Sequence, residues 1–397
     1  MKETKAILAH RKWQGKISIN VRCSVETEED LAIAYTPGVA DACMAIYEDP
    51  KESFNLTRRG NQVAVITDGT AILGLGNIGP EAGMPVMEGK AVLFKEFGNI
   101  DAFPLCLKTT DTEEIIRIIK LLEGNFAGIN LEDISAPRCF EIETRLKKEL
   151  SIPVFHDDQH GTAIVVGAAL LNALKVVNKK IDEIKVVING AGAAGTSIGK
   201  FLMKLGVKNL IMCDRDGIIS RGEVYQNAHH NELALLTNPN NLKGLLKDAL
   251  VGADVFVGVS APNVVNKEMV KSMAKDAICF PLANPIPEIS YQDAKEAGAK
   301  VVGTGSSKNP NQVNNALVFP GMFRGAIDSH ADDITIDMMI AASKAISESV
   351  SENELSDNYI LPKVIDKKVH ERIAKSVYEA ALKKTTRWVV FFSYLIT

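Results

Sequence analysis

The sequence predicts an α/β protein of two domains, the second built on a doubly wound sheet. Three observations carry this reading. Across residues 112–155 an amphipathic helix, a short apolar run, a second helix and a second apolar run alternate, which is the rhythm of a parallel sheet whose strand ends form a crevice. From residue 184 another apolar run enters a glycine-rich turn and a helix, and further strand-like runs follow at 209–213, 254–259, 277–282 and 300–303. The chain has 397 residues, long for one core and comfortable for two. The boundary is expected at residue 160, with 1–160 as one domain and 161–397 as the other.

Composition narrows the function classes. Hydrophobic residues make up 46% and charged residues 24%, the balance of an ordinary soluble globular protein. A net charge of −4 gives no reason to expect nucleic acid or an anionic membrane as a partner. The six cysteines are scattered without a C-x-x-C pair, and several lie in apolar runs, so they read as free thiols of a reducing compartment. No apolar core follows Met1, so no signal peptide is expected, and no apolar run approaches the roughly 20 residues of a membrane helix. A cytoplasmic protein without a membrane partner is the expectation. The apolar and aromatic residues 388–397 read as a strand packed on the body or on a partner subunit.

Taken in order, residues 1–55 carry helical patterns broken at Tyr35-Thr-Pro-Gly-Val39. Pro37-Gly38 forces a turn that sets Tyr35 at the rim of a pocket, or packs it beneath the turn. A strand at 62–67 leads to Gly74, Gly76 and Gly79, which match G-x-G-x-x-G. Residues 80–85, with two prolines, make a poor start for a long helix, so this segment is expected to be a glycine-rich loop wrapping a site. Lys90 then leads into an apolar strand, with Lys95 facing solvent by alternation. A lysine there is usually a surface charge. Enclosed near a cation, its pKa falls from about 10.4 toward neutrality and it can act as a base.

A helix at 112–122 and a strand at 126–131 lead to Glu132-Asp133; a helix at 138–150 and a strand at 152–155 lead to Asp157-Asp158. Converging carboxylates suit oxygen-seeking Mg²⁺ or Mn²⁺. Two other readings stand beside this one. Asp158 could be the N-cap of the helix at 161–177, and His156 with His160 could suggest zinc, although His156 directly follows a strand.

The fingerprint for a dinucleotide comes next: a strand at 184–188, the turn Gly190, Gly192, Ala193, Ala194 and Gly195, and a helix at 196–205. Asp214 ends the following strand about 20 residues beyond the last glycine, where it would meet ribose hydroxyls. Asp214 argues for NAD, Arg215 beside it for NADP, and both remain open. Ser260 and Asn284 follow two later strands at the ligand-binding edge, and Asn314-Asn315 form another amide pair in a loop. Residues 333–351 and 366–382 read as helices covering the sheet.

These segments together resemble the malic enzyme family in its short form. The resemblance runs from Tyr35 to Gly321 and rests on Tyr-Thr-Pro-Gly-Val, Thr-Asp-Gly-Thr-Ala-Ile-Leu-Gly-Leu-Gly, Gly-Met-Pro-Val-Met-Glu-Gly-Lys, Leu-Glu-Asp, Phe-His-Asp-Asp-Gln-His-Gly-Thr-Ala, Ala-Asn-Pro and Asn-Asn-Ala-Leu-Val-Phe-Pro-Gly. It implies a Rossmann-like domain plus an N-terminal α/β catalytic domain, and oxidative decarboxylation of malate to pyruvate with reduction of NAD or NADP. It also implies that Glu132, Asp133 and Asp158 hold Mg²⁺ or Mn²⁺, with Asp157 beside them. Lys90 would be the general base and Tyr35 the general acid, while Asn284 and Asn315 would contact substrate, with Asn314 nearby. A homodimer is implied, with an active site that two subunits can share. The long forms carry a substrate-binding arginine where this chain has Ala71. The same residues would serve a malolactic enzyme, which releases lactate, and a nucleotide-sensing homologue without catalysis is a further alternative.

Overall fold

The computed structural model describes residues 4–72, 75–225 and 228–395, with the side chains of 228 and 384–395 outside the description. Four short helices come first: α1 (Lys5–Trp13), α2 (Glu28–Ala34), α3 (Val39–Glu48) and α4 (Ser53–Leu56). Thr27 and Asp30 form a capping box that starts α2, and the turn at Pro37-Gly38 separates α2 from α3. None of the four helices buries a residue. Trp13, Ile19, Val21, Ile33, Tyr35 and Tyr47 stand exposed instead.

The first sheet has strand order β2-β1-β3-β4, all parallel, from β1 (Gln62–Thr67), β2 (Asp101–Cys106), β3 (Gly128–Leu131) and β4 (Val154–His156). Its crossovers are α5 (Pro80–Gly98), α6 (Thr112–Leu122) and α7 (Arg138–Glu149). The register places Ile66 beside Leu131, and Leu131 beside His156. Glu132 and Asp157 therefore both follow the same edge of the sheet. Strand β2 was not anticipated. Pro104 lies within it, and an edge strand tolerates a residue with no N–H to give.

Residues 88–97 are helix, not strand, and Pro80–Pro85 do begin a long helix. Proline costs nothing at the first helical position, where its N–H would be unpaired anyway, and Pro85 removes one early hydrogen bond. The buried residues Gly83, Met87, Lys90, Ala91, Phe94 and Gly98 keep helical spacing, a period that outweighs the prolines. Lys90 thus sits on the buried face of α5, while Lys95 points outward and pairs with Asp101.

From β4 the chain makes one wide, π-type turn at Asp157–Gly161 and enters α8 (Thr162–Val177). The segment Asp157–Val177 is long and apolar enough to cross a membrane, but 67% of its most apolar stretch is buried, as befits a central core helix. Asn172, buried within α8, donates to Ser347 O and Ile360 O and so fastens the C-terminal region to this helix.

The second sheet has the order β10-β9-β8-β5-β6-β7. Its strands are β5 (Lys185–Asn189), β6 (Asn209–Asp214), β7 (Gly217–Ile218), β8 (Val255–Gly258), β9 (Ile278–Pro281) and β10 (Val301–Val302). All pairs are parallel except β6 with β7. Strand β5 neighbours β6 on one side and β8 on the other, so the order reverses there and opens a crevice at the C-terminal ends. Helix α9 (Ala193–Leu205) follows β5. The helices α10 (Ala228–Leu236), α11 (Leu246–Leu250), α12 (Lys267–Lys271) and α13 (Tyr291–Glu296) complete the connections.

Three helices close the chain: α14 (Phe319–Asp328), α15 (Ile336–Ser347) and α16 (Lys367–Leu395). Phe319 and Phe323 of α14 pack against Phe94 of α5 with ring centroids 4.7 and 5.3 Å apart, and Phe323 also meets Phe155 of β4. The strand expected at 388–397 is corrected through Leu395, because the backbone continues α16. A helix satisfies its own backbone groups, whereas a strand would need a free sheet edge. Residues 396–397 lie outside the described residues.

Candidate active site

A cavity of about 600 Å³ lies between the C-terminal edges of the two sheets. Lys90, Glu132, Asp133 and Asp158 line one wall; Ala194, Ser260 and Asn284 line the opposite one, and Asn314, Asn315 and Phe319 close it. Most of the residues singled out from sequence therefore converge. Ala71 is there too.

The acidic wall is laced together by backbone. Ala71 N donates to Asp133 O at 2.9 Å, and Ser135 N donates to Thr70 Oγ1 at 3.0 Å. Arg138 pairs with Asp68 at 2.7 Å and donates to Thr70 Oγ1, bracing the loop after β1 against the loop after β3. Asp133 adopts φ 52°, a left-handed conformation that aspartate tolerates better than most residues. Its N–H donates to Asp158 Oδ2 at 2.8 Å. Asp158 is thus bound to the neighbouring loop and does not cap α8, where no side-chain cap is found.

One oxygen each from Glu132, Asp133 and Asp158 lies within 4.8 Å of the others. Asp157, fully buried, accepts from Lys90 Nζ at 2.5 Å and from Asn315 Nδ2 at 2.5 Å. Lys90 also meets Glu132 Oε1 at 2.9 Å, and its ammonium sits 4.2 Å from the centroid of the Phe319 ring. Three carboxylates, Asp157, Glu132 and Asp158, thus act on a single lysine, with Asp133 beside them. Burial, with Asp158 adding repulsion against the pull of Lys90, pushes Glu132 up to about 7. Burial and Glu132 push Asp157 up to about 7, and burial and Asp157 push Asp158 up to about 6. Such a cluster lacks positive charge. An all-carboxylate donor set of this size fits a hard divalent cation.

Lys90 departs from the expectation of a lowered pKa. Burial works to lower it, but the Asp157 and Glu132 carboxylates outweigh burial and hold it above its ordinary value. The lysine here is an ammonium clasped by two carboxylates.

The two histidines serve other ends than zinc. His156 is buried beneath the cluster, and burial pushes it down to about 4, so it is neutral. His160 turns away and shares a 2.8 Å hydrogen bond with Glu143, whose carboxyl is buried on α7, and its other ring nitrogen lies 3.4 Å from Ser197 Oγ of α9. Glu143 was missed in the sequence. Its signal was a charge on the apolar face of α7, among Cys139, Ile142 and Leu146. Asn130, which donates to Glu132 Oε2 at 3.0 Å, and Phe319 were missed as well.

Across the cavity, the turn after β5 divides labour among its glycines. Gly190 has φ 113°, and a Cβ on it would strike Val259 O at 2.5 Å. A Cβ on Gly195 would lie 1.8 Å from Gly190 O, while one on Gly192 would meet nothing within 4 Å. Gly192 heads α9 without a side-chain cap and with open space where a Cβ would stand, room that a pyrophosphate at a helix N-terminus requires. Asp214 ends the adjacent strand, accepts from Asp216 N at 2.9 Å and lies 3.2 Å from His230 Nδ1. The Arg215 side chain is 94% exposed and lies 3.7 Å from Asp216.

Two assigned side chains stand apart. Asn314 lines the cavity, but its carbonyl is taken by Ala316 N at 2.9 Å, a local cap. Tyr35 does not line the cavity of its own chain. It is 66% exposed among the apolar residues of the N-terminal helices.

A doubly wound sheet with this turn, facing buried carboxylates and a lysine, defines the class as an NAD(P)-binding oxidoreductase. Comparison with known proteins gives the family. Residues 14–147 match the model for the malic enzyme N-terminal domain, and residues 159–382 match the malic enzyme NAD binding domain. The NAD-dependent malic enzyme of Geobacillus stearothermophilus is 58% identical over 93% of this chain and 77% of its own length. The bifunctional malic/malolactic enzyme of Bacillus subtilis is 55% identical over 95% of this chain and 92% of its own. The crystal structure of the NAD-dependent malic enzyme of Thermotoga maritima superposes with a TM-score of 0.91 at 50% identity, covering 95% of this chain and 99% of that one. The chain belongs to the malic enzyme family and is a malate-decarboxylating oxidoreductase.

Proposed function

We propose that the protein oxidises malate to oxaloacetate with NAD and decarboxylates the product to pyruvate. The observation that carries this is the pairing of Lys90 with Asp157 beside three clustered carboxylates, across one cavity from the dinucleotide turn. Glu132, Asp133 and Asp158 would hold Mg²⁺ or Mn²⁺. The cation, when bound, supplies Lewis acidity at the C2 oxygen and charge compensation for the carboxylates. NAD, held at the turn after β5, would supply the hydride acceptor.

The chain's own residues then divide the proton work. Asp157, hydrogen-bonded to Lys90 Nζ, is placed to take its proton and free the amine once a bound cation offsets the carboxylates that hold the lysine charged. Lys90 removes the C2 hydroxyl proton as hydride leaves C2. Asn315 fixes Asp157 with its amide N–H₂, leaving its carbonyl for substrate, and Asn284 contacts substrate from the opposite wall. After CO₂ departs, Tyr35 protonates C3 of the enol. Its exposure, amid an apolar N-terminal surface, supports a homodimer in which Tyr35 serves the partner subunit's cavity. Asp214, fixed at the end of β6, disfavours a 2′-phosphate, and Arg215 points away; both support NAD.

The test follows absorbance of reduced nicotinamide with malate and Mn²⁺, using NAD and NADP separately, with pyruvate and lactate assayed. Pyruvate formed mole for mole with reduced NAD is the expected result. Lactate without net reduction would replace this reading with the malolactic one, the activity that shares a name with the Bacillus subtilis relative.

A further inference from the structure

Glu288 carries no role in the chemistry above, yet its carboxylate is completely buried at the edge where the two loops of the dinucleotide wall meet. One oxygen accepts from Ser260 N at 2.7 Å and from Ser260 Oγ at 3.0 Å; the other accepts from Ala283 N at 3.1 Å. Ser260 follows β8, and Ala283-Asn284 follows β9. Asn189, the last residue of β5, donates to Ser260 Oγ at 2.7 Å, so three strand ends are drawn to one carboxylate. The loops are also joined by backbone, Asn263 N to Pro287 O and Val265 N to Glu288 O. Among the described residues no lysine or arginine pairs with Glu288, so N–H and O–H donors alone compensate its charge.

Such an arrangement exceeds what holding two loops requires. A buried carboxylate is costly unless its hydrogen bonds are complete, and backbone pairing already joins the loops. The space is reserved as well: a Cβ on Gly258, the last residue of β8, would lie 2.4 Å from the Glu288 carboxyl carbon.

We propose that Glu288 is a positioning residue for the bound dinucleotide and substrate: by fixing Ser260 and Ala283 together, it sets the distance from Ser260 to Asn284 across the cavity wall. This rests on the assignment of Ser260 and Asn284 to ligand binding. The acid–base groups Lys90 and Asp157 belong to other elements and are not touched by Glu288. Loss of the clamp therefore weakens ligand binding far more than it slows the chemical step.

The test is Glu288→Gln in the full-length protein. Glutamine keeps the shape, but its N–H₂ must face one set of donors, so at least one charge-assisted hydrogen bond is lost. KM for malate and for NAD is expected to rise about tenfold or more, with kcat within about threefold of wild type. The dissociation constant of NADH, read by nicotinamide fluorescence, is expected to rise in parallel. That readout needs no turnover, so it still tests Glu288 if malate proves not to be oxidised. Gly258→Ala displaces the carboxylate without removing it and is expected to reproduce the same split. Unchanged KM and NADH affinity in folded Glu288→Gln would overturn the proposal. If Glu288→Gln does not fold, Gly258→Ala decides: the same split supports the proposal, and wild-type constants overturn it. Failure of both variants to fold would make Glu288 purely structural and equally overturn it.

Discussion

The glycines of the dinucleotide turn allow structure and ligand to be separated by one methyl group each. In Gly195→Ala the added Cβ would lie 1.8 Å from Gly190 O, against an ordinary contact near 3.4 Å. The start of α9 must therefore retreat by about 1.5 Å, an overpacking that costs about 1–3 kcal/mol. A lowered melting temperature, by about 2–12 °C, is the expected result. In Gly192→Ala the Cβ meets nothing within 4 Å, and φ −81° suits alanine. That variant is expected to melt with wild type. If the pyrophosphate lies at this turn, the methyl enters its path, and a comparable steric cost is expected to weaken dinucleotide binding about 5- to 150-fold. Thermal melting without ligand and a fluorescence titration with NADH measure the two effects. Wild-type NADH affinity in Gly192→Ala would refute the placement of the pyrophosphate at this turn. An unaltered melting temperature in Gly195→Ala would refute the packing argument.

The remaining predictions concern the opposite wall. Since Glu132 and Asp157 are raised to about 7 and Asp158 to about 6, the folded cluster binds protons that the unfolded chain has already released. The ionised cluster therefore destabilises the metal-free fold progressively as pH rises from about 4 to 7, and a divalent cation removes that cost. Stabilisation by Mg²⁺ in a thermal melt should be larger at pH 8 than at pH 5.5, and an equal shift at both would count against the carboxylate site. Lys90→Ala should abolish malate oxidation, while Tyr35→Phe should keep part of its oxaloacetate reduction; equal loss of both partial reactions in Tyr35→Phe would merge the two roles. Co-expressed Tyr35→Phe and Lys90→Ala subunits should regain malate decarboxylation, because one site of the hybrid dimer has both residues only if Tyr35 serves the partner. No recovery in purified hybrids would confine each site to one chain. Glu143→Gln should lower activity about tenfold by loosening His160 and the turn bearing Asp157 and Asp158, with Glu143→Asp intermediate.

Both sheets were legible wherever one residue type signalled its own geometry. Strand β1 falls at 62–67 and helix α6 at 112–122 as read from periodicity, and the glycines around Gly192 announced the second sheet. The carboxylate cluster was legible because each acidic pair directly follows a strand, and parallel strands in register bring such ends together. Lys90 was placed on the wrong element because Pro80 and Pro85 argued locally against a helix that tertiary burial of Met87, Ala91 and Phe94 supports. The raised pKa of Lys90 and the roles of Glu143 and Glu288 depend on contacts between residues far apart in sequence, for which single-chain spacing has no mark. Tyr35 was legible as a turn residue, whereas its distance from the cavity of its own chain was not.

The aromatic contact between Phe94 and Phe319 has a bearing on how the protein is made. The helix that bears Lys90 is sealed by a helix synthesised after the whole second sheet. During translation the first sheet leaves the ribosome with that flank open, and its lysine is not yet enclosed. Long-range closure of this kind is slow, and apolar surface stays exposed meanwhile. The Lys90 ammonium cannot be covered by the Phe319 ring until α14 has been made, and a chain ending before α14 lacks one wall of the cavity.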